Sequence, residues 1–205
     1  MRVVIATGNP DKVKEFKKML EHYDLPVYSA KELKLPTDAD ETGTSFAENA
    51  LIKCRTIPVT DAEETIVFAD DSGLCIDALG GEPGIYSSRY LGEDTPYDVK
   101  NAHFIHLLQD VHGEKRSCRY HCAIAVRFPD GTEDVVEETM EGRIAYAPAG
   151  YNGFGYDPVF YLPEYGLTCA QLPEEAKNRI SHRGKALLKA EVLIRDWLLK
   201  NGYVH

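Results

Sequence analysis

Two carboxylates stand side by side in the stretch Val67-Phe68-Ala69-Asp70-Asp71-Ser72-Gly73-Leu74, at the end of an apolar run that opens at Ile66. A strand that stops in Asp-Asp-Ser-Gly stops where something binds, and a carboxylate at such a place can hold a cation or accept a proton. Successive strand residues point to opposite faces, so Asp70 and Asp71 reach one pocket only if the strand has already broken. The pattern predicts that one of them carries chemistry while the other anchors the turn. The same letters also suit a plain turn, for which Asp-Ser-Gly is good material.

Cations and glycine turns supply the other half of a possible site. Residues 2 to 6 read as a buried strand that Thr7-Gly8-Asn9-Pro10 turns into a helix, with Asn9 as N-cap, Pro10 at the first helical position, and Val13, Phe16 and Leu20 on one apolar face. A glycine turn feeding a helix N-terminus is a ready anion site. Lys12 lies in that first turn against the helix dipole, which marks either a functional cation or a solvated one. The Walker spacing is missing. Further on, Glu41 sits in the acidic loop 38 to 43, a stretch that also reads as merely solvated. The capping box Ser45-x-x-Glu48 then opens a helix with Phe46, Ala50, Leu51 and Cys54 on its buried stripe and Asn49 and Lys53 on the opposite face. The segment 148 to 158 holds too many glycines and aromatics for a linker and offers a stacking platform for a flat base, or else a turn packed on the core. Lys177, Arg179, His182 and Arg183 gather where Ser181 caps a last helix running to about Leu199. Cations at a helix start suit an anionic or electron-rich ligand; a solvated basic turn is the plainer reading.

These groups need elements to position them. A short strand is expected at Val27-Tyr28-Ser29, and a helix from Asp94-Thr95-Pro96 to about Val111 with Val99, Ala102, Ile105 and Leu108 inward. Two strands over 117 to 128 and 132 to 144 are joined by the turn at Pro129-Asp130-Gly131. His103 and His106, three apart on a helix, lack a third ligand and read as surface or core residues.

The chain has 205 residues, enough for one well-buried domain or for two small lobes sharing a sheet, with 43% hydrophobic and 27% charged residues. No apolar run reaches the roughly 18 residues of a membrane span, and no leader pattern precedes Val3, so a cytoplasmic protein without a membrane partner is expected. Five cysteines form no Cys-x-x-Cys pair and read as reduced core residues. A formal charge of -10 argues against nucleic acid as a partner but leaves room for a small anion where the few basic residues converge.

Taken together, Thr7-Gly8-Asn9-x-x-Lys12, Glu41-Thr42-Gly43-x-x-Phe46-x-Glu48-Asn49-Ala50-x-x-Lys53, Asp70-Asp71-Ser72-Gly73-Leu74, Gly80-Gly81-x-Pro83-Gly84, Gly153-Phe154-Gly155-Tyr156-Asp157-Pro158 and Ser181-His182-Arg183 resemble the inosine/xanthosine triphosphate pyrophosphatase family of house-cleaning enzymes. The motifs run in that family's order from residue 7 to residue 183. The resemblance implies an α/β fold: an elongated mixed β-sheet flanked by helices, in one domain spanning 1 to 205, with two lobes and the active site in the cleft between them. It also implies a homodimer and Mg2+-dependent cleavage of inosine, deoxyinosine and xanthosine triphosphates to monophosphate and pyrophosphate. By the same resemblance Asp71 is catalytic, and Glu41 and Asp71 hold the metal. Thr7, Gly8, Asn9, Pro10, Asp11, Lys12 and Lys53 bind phosphate; Ser72, Phe154, Gly155, Tyr156, Asp157, Lys177, His182 and Arg183 bind substrate and base. A nucleotide-binding regulator without turnover, and a pyrophosphatase for other modified nucleotides, are the alternatives.

Overall fold

Val3, Val4 and Ile5 are all fully buried, so both faces of β1 (Arg2–Ile5) are covered, as suits a strand with parallel neighbours on either side. It has them, since β2 (Val27–Ser29) and β3 (Thr65–Ile76) both run parallel to it. Two helices occupy the connections, α1 (Pro10–Leu20) before β2 and α2 (Phe46–Thr56) before β3. α3 (Tyr97–Leu107) follows β3, and β4 (Ser117–Arg127) and β5 (Glu133–Ile144) flank a turn in which Phe128 N–H donates to Thr132 O. Short antiparallel β6 (Phe160–Leu162) and β7 (Leu167–Thr168) extend the sheet, and α4 (Glu174–Ile180) and α5 (His182–Lys200) close the chain. This computed structural model describes residues 1–37, 39–58 and 64–203, without the side chain of Asp11. Among them the sheet order is β2-β1-β3-β4-β5-β6-β7, a mixed sheet with helices as expected for an α/β protein.

The chain divides into two compact units, each with a core of its own. The first comprises Met1–Asp71, Cys122–Glu138 and Lys185–His205, and the second Ser72–His121 and Thr139–Gly184. In the first, Phe16 and Leu20 of α1 and Ala190, Ile194 and Leu198 of α5 pack on Val3, Ile5, Phe68 and Ile124 of the sheet. In the second, Phe104 and Leu108 join Leu74, Ile76, Tyr120, Met140, Ile144 and Phe160. The unit boundary cuts β3 between the consecutive residues Asp71 and Ser72.

Three expectations need correction. β3 does not stop at the carboxylates; it runs on through Ser72, Gly73 and Leu74 to Ile76, so neither aspartate anchors a turn. The inward face of α3 does not include Val99 and Ala102, although Ile105 and Leu108 pack on the second core as expected. Lys100, Asn101 and Phe104 are the buried positions, and Val99 is half exposed. Polar residues can take that face because they are bonded there: Lys100 Nζ donates to Ser88 O at 2.7 Å and Asn101 Nδ2 to Gly155 O at 3.2 Å. Asn49, assigned to the outer face of α2, is fully buried, with its Oδ1 accepting from Gly43 N–H at 2.9 Å.

The second unit is braced by Arg116, which is 1% exposed and donates only to carbonyls: Ile144 O at 2.7 Å, Leu108 O at 2.6 Å, Val111 O at 3.0 Å and Ala145 O at 2.9 Å. One guanidinium thus closes the end of α3 and fixes the exit of β5, with the Tyr146 ring 4.3 Å from its centre. Arg116→Met would keep the bulk and strip four carbonyls of a charged donor. Urea denaturation should show a loss of at least about 3 kcal/mol; a midpoint equal to that of the parent would show that these bonds carry no net stability.

Candidate active site

In the first unit a lysine lies between two carboxylates. Helix α2 begins at the Ser45 cap, whose hydroxyl accepts from Glu48 N–H, and this sets Lys53 near the helix C-terminal end, where the dipole favours a cation. Its ammonium is 2.7 Å from Glu41 Oε1 and 2.8 Å from Asp71 Oδ1, and 3.3 Å from the Asp70 carbonyl oxygen. Asp70, projecting from the other face of β3, meets a second ammonium, Lys12 Nζ, at 2.8 Å from its Oδ2. Lys12 is delivered by α1, whose Asn9 cap accepts from Lys12 N–H at 3.4 Å and whose first residue is Pro10, as the sequence predicts. Thr7 Oγ1 accepts from Asn9 N–H at 3.2 Å in the glycine turn. Gly8 occupies that turn beside Thr37.

Burial and charge compete here. Burial raises the Asp71 carboxyl above the ordinary aspartate range; Lys53 pulls it down, and Glu41 pushes it up again. Burial also works against the Lys53 ammonium, but Asp71 and Glu41 overcome it and hold its pKa above the usual lysine value. Both values rise, with opposite meaning for charge: burial and the like charge of Glu41 disfavour the Asp71 carboxylate, whereas its two carboxylate neighbours favour the Lys53 ammonium. Asp71 Oδ2 is buried and lacks a hydrogen bond among the described residues, an orphaned acceptor beside a second carboxylate. That donor set fits magnesium, a hard cation that takes one or two carboxylates and completes its shell with waters and phosphate oxygens. No cluster of three or more His, Cys, Asp or Glu able to hold a metal occurs among the described residues.

The second unit collects the other predicted residues around one ring. Phe154 is half exposed, with Lys177 Nζ 5.4 Å and Arg183 Cζ 5.9 Å from its centroid. Arg183 Nη2 donates to Ser72 Oγ at 3.2 Å, so the residue next to Asp71 in β3 steadies the guanidinium. The loop under the ring is tied down from inside. Asp157 is buried, its Oδ2 accepting from Phe154 N–H at 3.0 Å and from Lys177 Nζ, and its Oδ1 from the Tyr120 hydroxyl at 3.1 Å. Gly153 is required there, because its φ is +74° and a Cβ would collide with Asp157 Oδ2. Gly155 turns with φ +67° and gives its carbonyl to Asn101.

Tyr156, expected at the substrate, has a side chain that belongs to the core. It is 4% exposed and donates its hydroxyl to Ser87 O at 2.5 Å. Asp157, also expected at the substrate, has both oxygens engaged by protein donors, from Tyr120 on Oδ1 and from the Phe154 amide and Lys177 on Oδ2. Lys177 also changes character. It lies in the last turn of α4, where the dipole welcomes it, and only His182 and Arg183 stand at the start of α5. Asp11 has its backbone in α1, and its side chain lies outside the described atoms.

Two clusters thus stand on consecutive residues of one strand, cations with carboxylates ending at Asp71 and an aromatic face with cations beginning at Ser72. A model of the Ham1 family matches residues 3–192. The chain belongs to the Ham1 family. A dITP/XTP pyrophosphatase of Bacillus anthracis is 44% identical over 200 residues, covering 97% of this chain and 98% of the relative. One from Geobacillus kaustophilus is 48% identical over 190 residues, 92% of each. Among solved structures, a HAM1 protein from Coxiella burnetii aligns with a TM-score of 0.87 at 35% identity, over 96% of this chain and 99% of that one. The Ham1 protein of Staphylococcus aureus gives 0.86 at 38%, over 96% and 99%. The overlap at this identity bears out the expected family and its mixed-sheet fold.

In this Ham1 chain sequence reasoning missed Tyr120 as a neighbour of the candidate site, the burial of Asn49 and the pairing of Lys12 with Asp70. Tyr120 was legible only as an alternating strand residue, and Asp70 only as the aspartate facing away from Asp71. Gly184 is a further requirement of the corner that carries His182 and Arg183. A Cβ there would strike the Asn178 carbonyl oxygen, which belongs to α4. Gly184→Ala should therefore cost about 1 to 3 kcal/mol as α4 is pushed away. A thermal melting point within a degree of the parent protein's would show that the corner has room to spare.

Proposed function

We propose that this chain is a magnesium-dependent nucleoside triphosphate pyrophosphatase that converts inosine, deoxyinosine and xanthosine triphosphates to their monophosphates and pyrophosphate. The observation that carries the reading is the Lys53 ammonium held between Glu41 and Asp71, with a second ammonium, Lys12, on the adjacent Asp70. Such a set suits a polyanion whose charge must be neutralised while a water is activated. The names of the relatives, dITP/XTP pyrophosphatases, support the substrate class. The family resemblance supports a homodimer working in the cytoplasm.

In the reaction a water oxygen attacks the α-phosphorus, the bond from that phosphorus to the bridging oxygen breaks, and pyrophosphate leaves. Asp71, whose Oδ1 already accepts from Lys53, orients the water and takes its proton. Glu41 and Asp71 would hold magnesium, which would supply charge neutralisation on the phosphate oxygens. Lys12, Lys53 and the amides of the Thr7 to Lys12 turn cradle the same oxygens. Arg183 has only donors to offer and His182 can supply one, which suits the 6-oxo acceptor of hypoxanthine and xanthine and sets donor against donor with adenine. Each buried donor left unpaired costs about 1 to 3 kcal/mol, or roughly one to two orders of magnitude in preference. Phe154 stacks on any purine.

Release of pyrophosphate from inosine triphosphate with magnesium, measured beside a panel of other modified triphosphates, tests the assignment. A protein that binds but does not cleave would be a regulator instead. Asp71→Asn should abolish turnover with the fold intact by circular dichroism, and appreciable residual activity would remove Asp71 from the proton transfer. Lys53→Ala should damage all triphosphates alike, since it touches phosphate and leaves Glu41 and Asp71 facing each other; loss confined to one base would contradict this. Arg183→Ala should narrow the gap between inosine and adenosine triphosphates, whereas a common loss on every base would make Arg183 a phosphate ligand.

A further inference from the structure

Tyr120 of β4 is almost wholly buried, and its two ends touch different parts of the second cluster. Its ring is sandwiched between Phe160, with centroids 4.3 Å apart and planes at 10°, and His182, at 4.8 Å and 21°. Its hydroxyl donates to Asp157 Oδ1 at 3.1 Å. Asp157 in turn holds the Phe154 amide and Lys177 on its other oxygen. The backbone of Phe154 is therefore fixed by a relay that begins on the sheet, at a phenol kept protonated by burial.

We infer that Tyr120 is a positioning residue for purine stacking: its hydroxyl locks Asp157, and Asp157 locks the Phe154 amide so that the ring stands ready for the base. This rests on the pyrophosphatase reading above and adds to it a residue that touches no substrate. A half-exposed aromatic on a glycine loop is a good platform only if the loop does not move, because any ordering left to the moment of binding is subtracted from affinity. The glycines at 153 and 155, both at positive φ, give the loop its shape but no rigidity. The aspartate supplies that, and Tyr120 is the side chain that ties the aspartate to the sheet.

The experiment is a double-mutant cycle on the full-length protein with magnesium, using Tyr120→Phe and Phe154→Ala singly and together. Tyr120→Phe keeps the ring on His182 and Phe160 and removes only the hydroxyl. With the parent protein hydrolysing inosine triphosphate, Tyr120→Phe should raise KM about five- to tenfold for inosine, xanthosine and adenosine triphosphates alike, the worth of one hydrogen bond. The kcat and the inosine-to-adenosine preference should stay within twofold. In the Phe154→Ala background the same change should have almost no effect, because the hydroxyl acts through that ring. Additive effects of the two substitutions would overturn the proposal and leave Tyr120 a general structural residue. An unchanged KM in Tyr120→Phe would overturn it as well, as would a shifted base preference, which would place the hydroxyl's influence on His182 instead. If the parent protein cleaves no purine triphosphate, the functional reading fails first, and the cycle is not the reason.

Discussion

Two ammonium groups are what allow β3 to carry adjacent carboxylates through its buried middle. Strand geometry sends Asp70 and Asp71 to opposite faces, and each face would hold an uncompensated charge without a partner. Lys12 arrives from α1 and Lys53 from α2, so two of the helices beside this part of the sheet also neutralise it. The strand therefore needs no break, and it continues into Ser72 and Leu74 of the second unit. A cost remains on the Asp71 side, where burial outweighs the attraction of Lys53 and Glu41 adds repulsion. Removing one member of such a set leaves a buried like-charge pair or a lone charge, which is far more damaging than the net worth of the pair suggests.

The pair of units assigns the chemistry in an orderly way. The first contributes flexible point charges on long stems, suited to a polyphosphate whose oxygens shift during reaction. The second contributes a ring, a guanidinium with fixed geometry and a loop tied from beneath, suited to a flat and rigid base. Asn49 links the first group to its support: buried in α2 one turn before Lys53, it accepts from Gly43 N–H and so tethers the loop that presents Glu41. A Cβ on Gly43 would crowd Asn49 Oδ1 at 2.6 Å, which shows how closely that loop lies on the helix.

Much of this was legible because the pattern and the physics agreed. The Asn9 cap, Pro10, the Phe16 and Leu20 face, the Ser45 capping box and the turn between β4 and β5 all lie where local rules put them. The failures share a cause, namely polar residues that are buried because a distant partner satisfies them. Lys100 and Asn101 read as solvent-facing from their types, yet they face the core with Ser88 O and Gly155 O as acceptors. Asp70 and Asp71 read as a strand's end because nothing in the local sequence shows Lys12 or Lys53. Strands of two and three residues such as β7 and β6, and the seven-residue α4, are too short for a period to emerge.

The helix-start argument shows how a missed element changes a physical inference. Lys177, Arg179 and Arg183 look like an accumulation against one dipole when a single helix is assumed. With α4 present, Lys177 and Arg179 occupy its last turn, where the orphan carbonyls stabilise them. Arg183 is left in the first turn of α5 with the helix dipole against it, and there the Phe154 ring and the Ser72 hydroxyl steady it. The anomaly thus narrows from a basic cluster to one guanidinium poised beside an exposed aromatic face. The Phe154 ring and the Ser72 hydroxyl thus set where this guanidinium stands, against a dipole that disfavours a cation at a helix start.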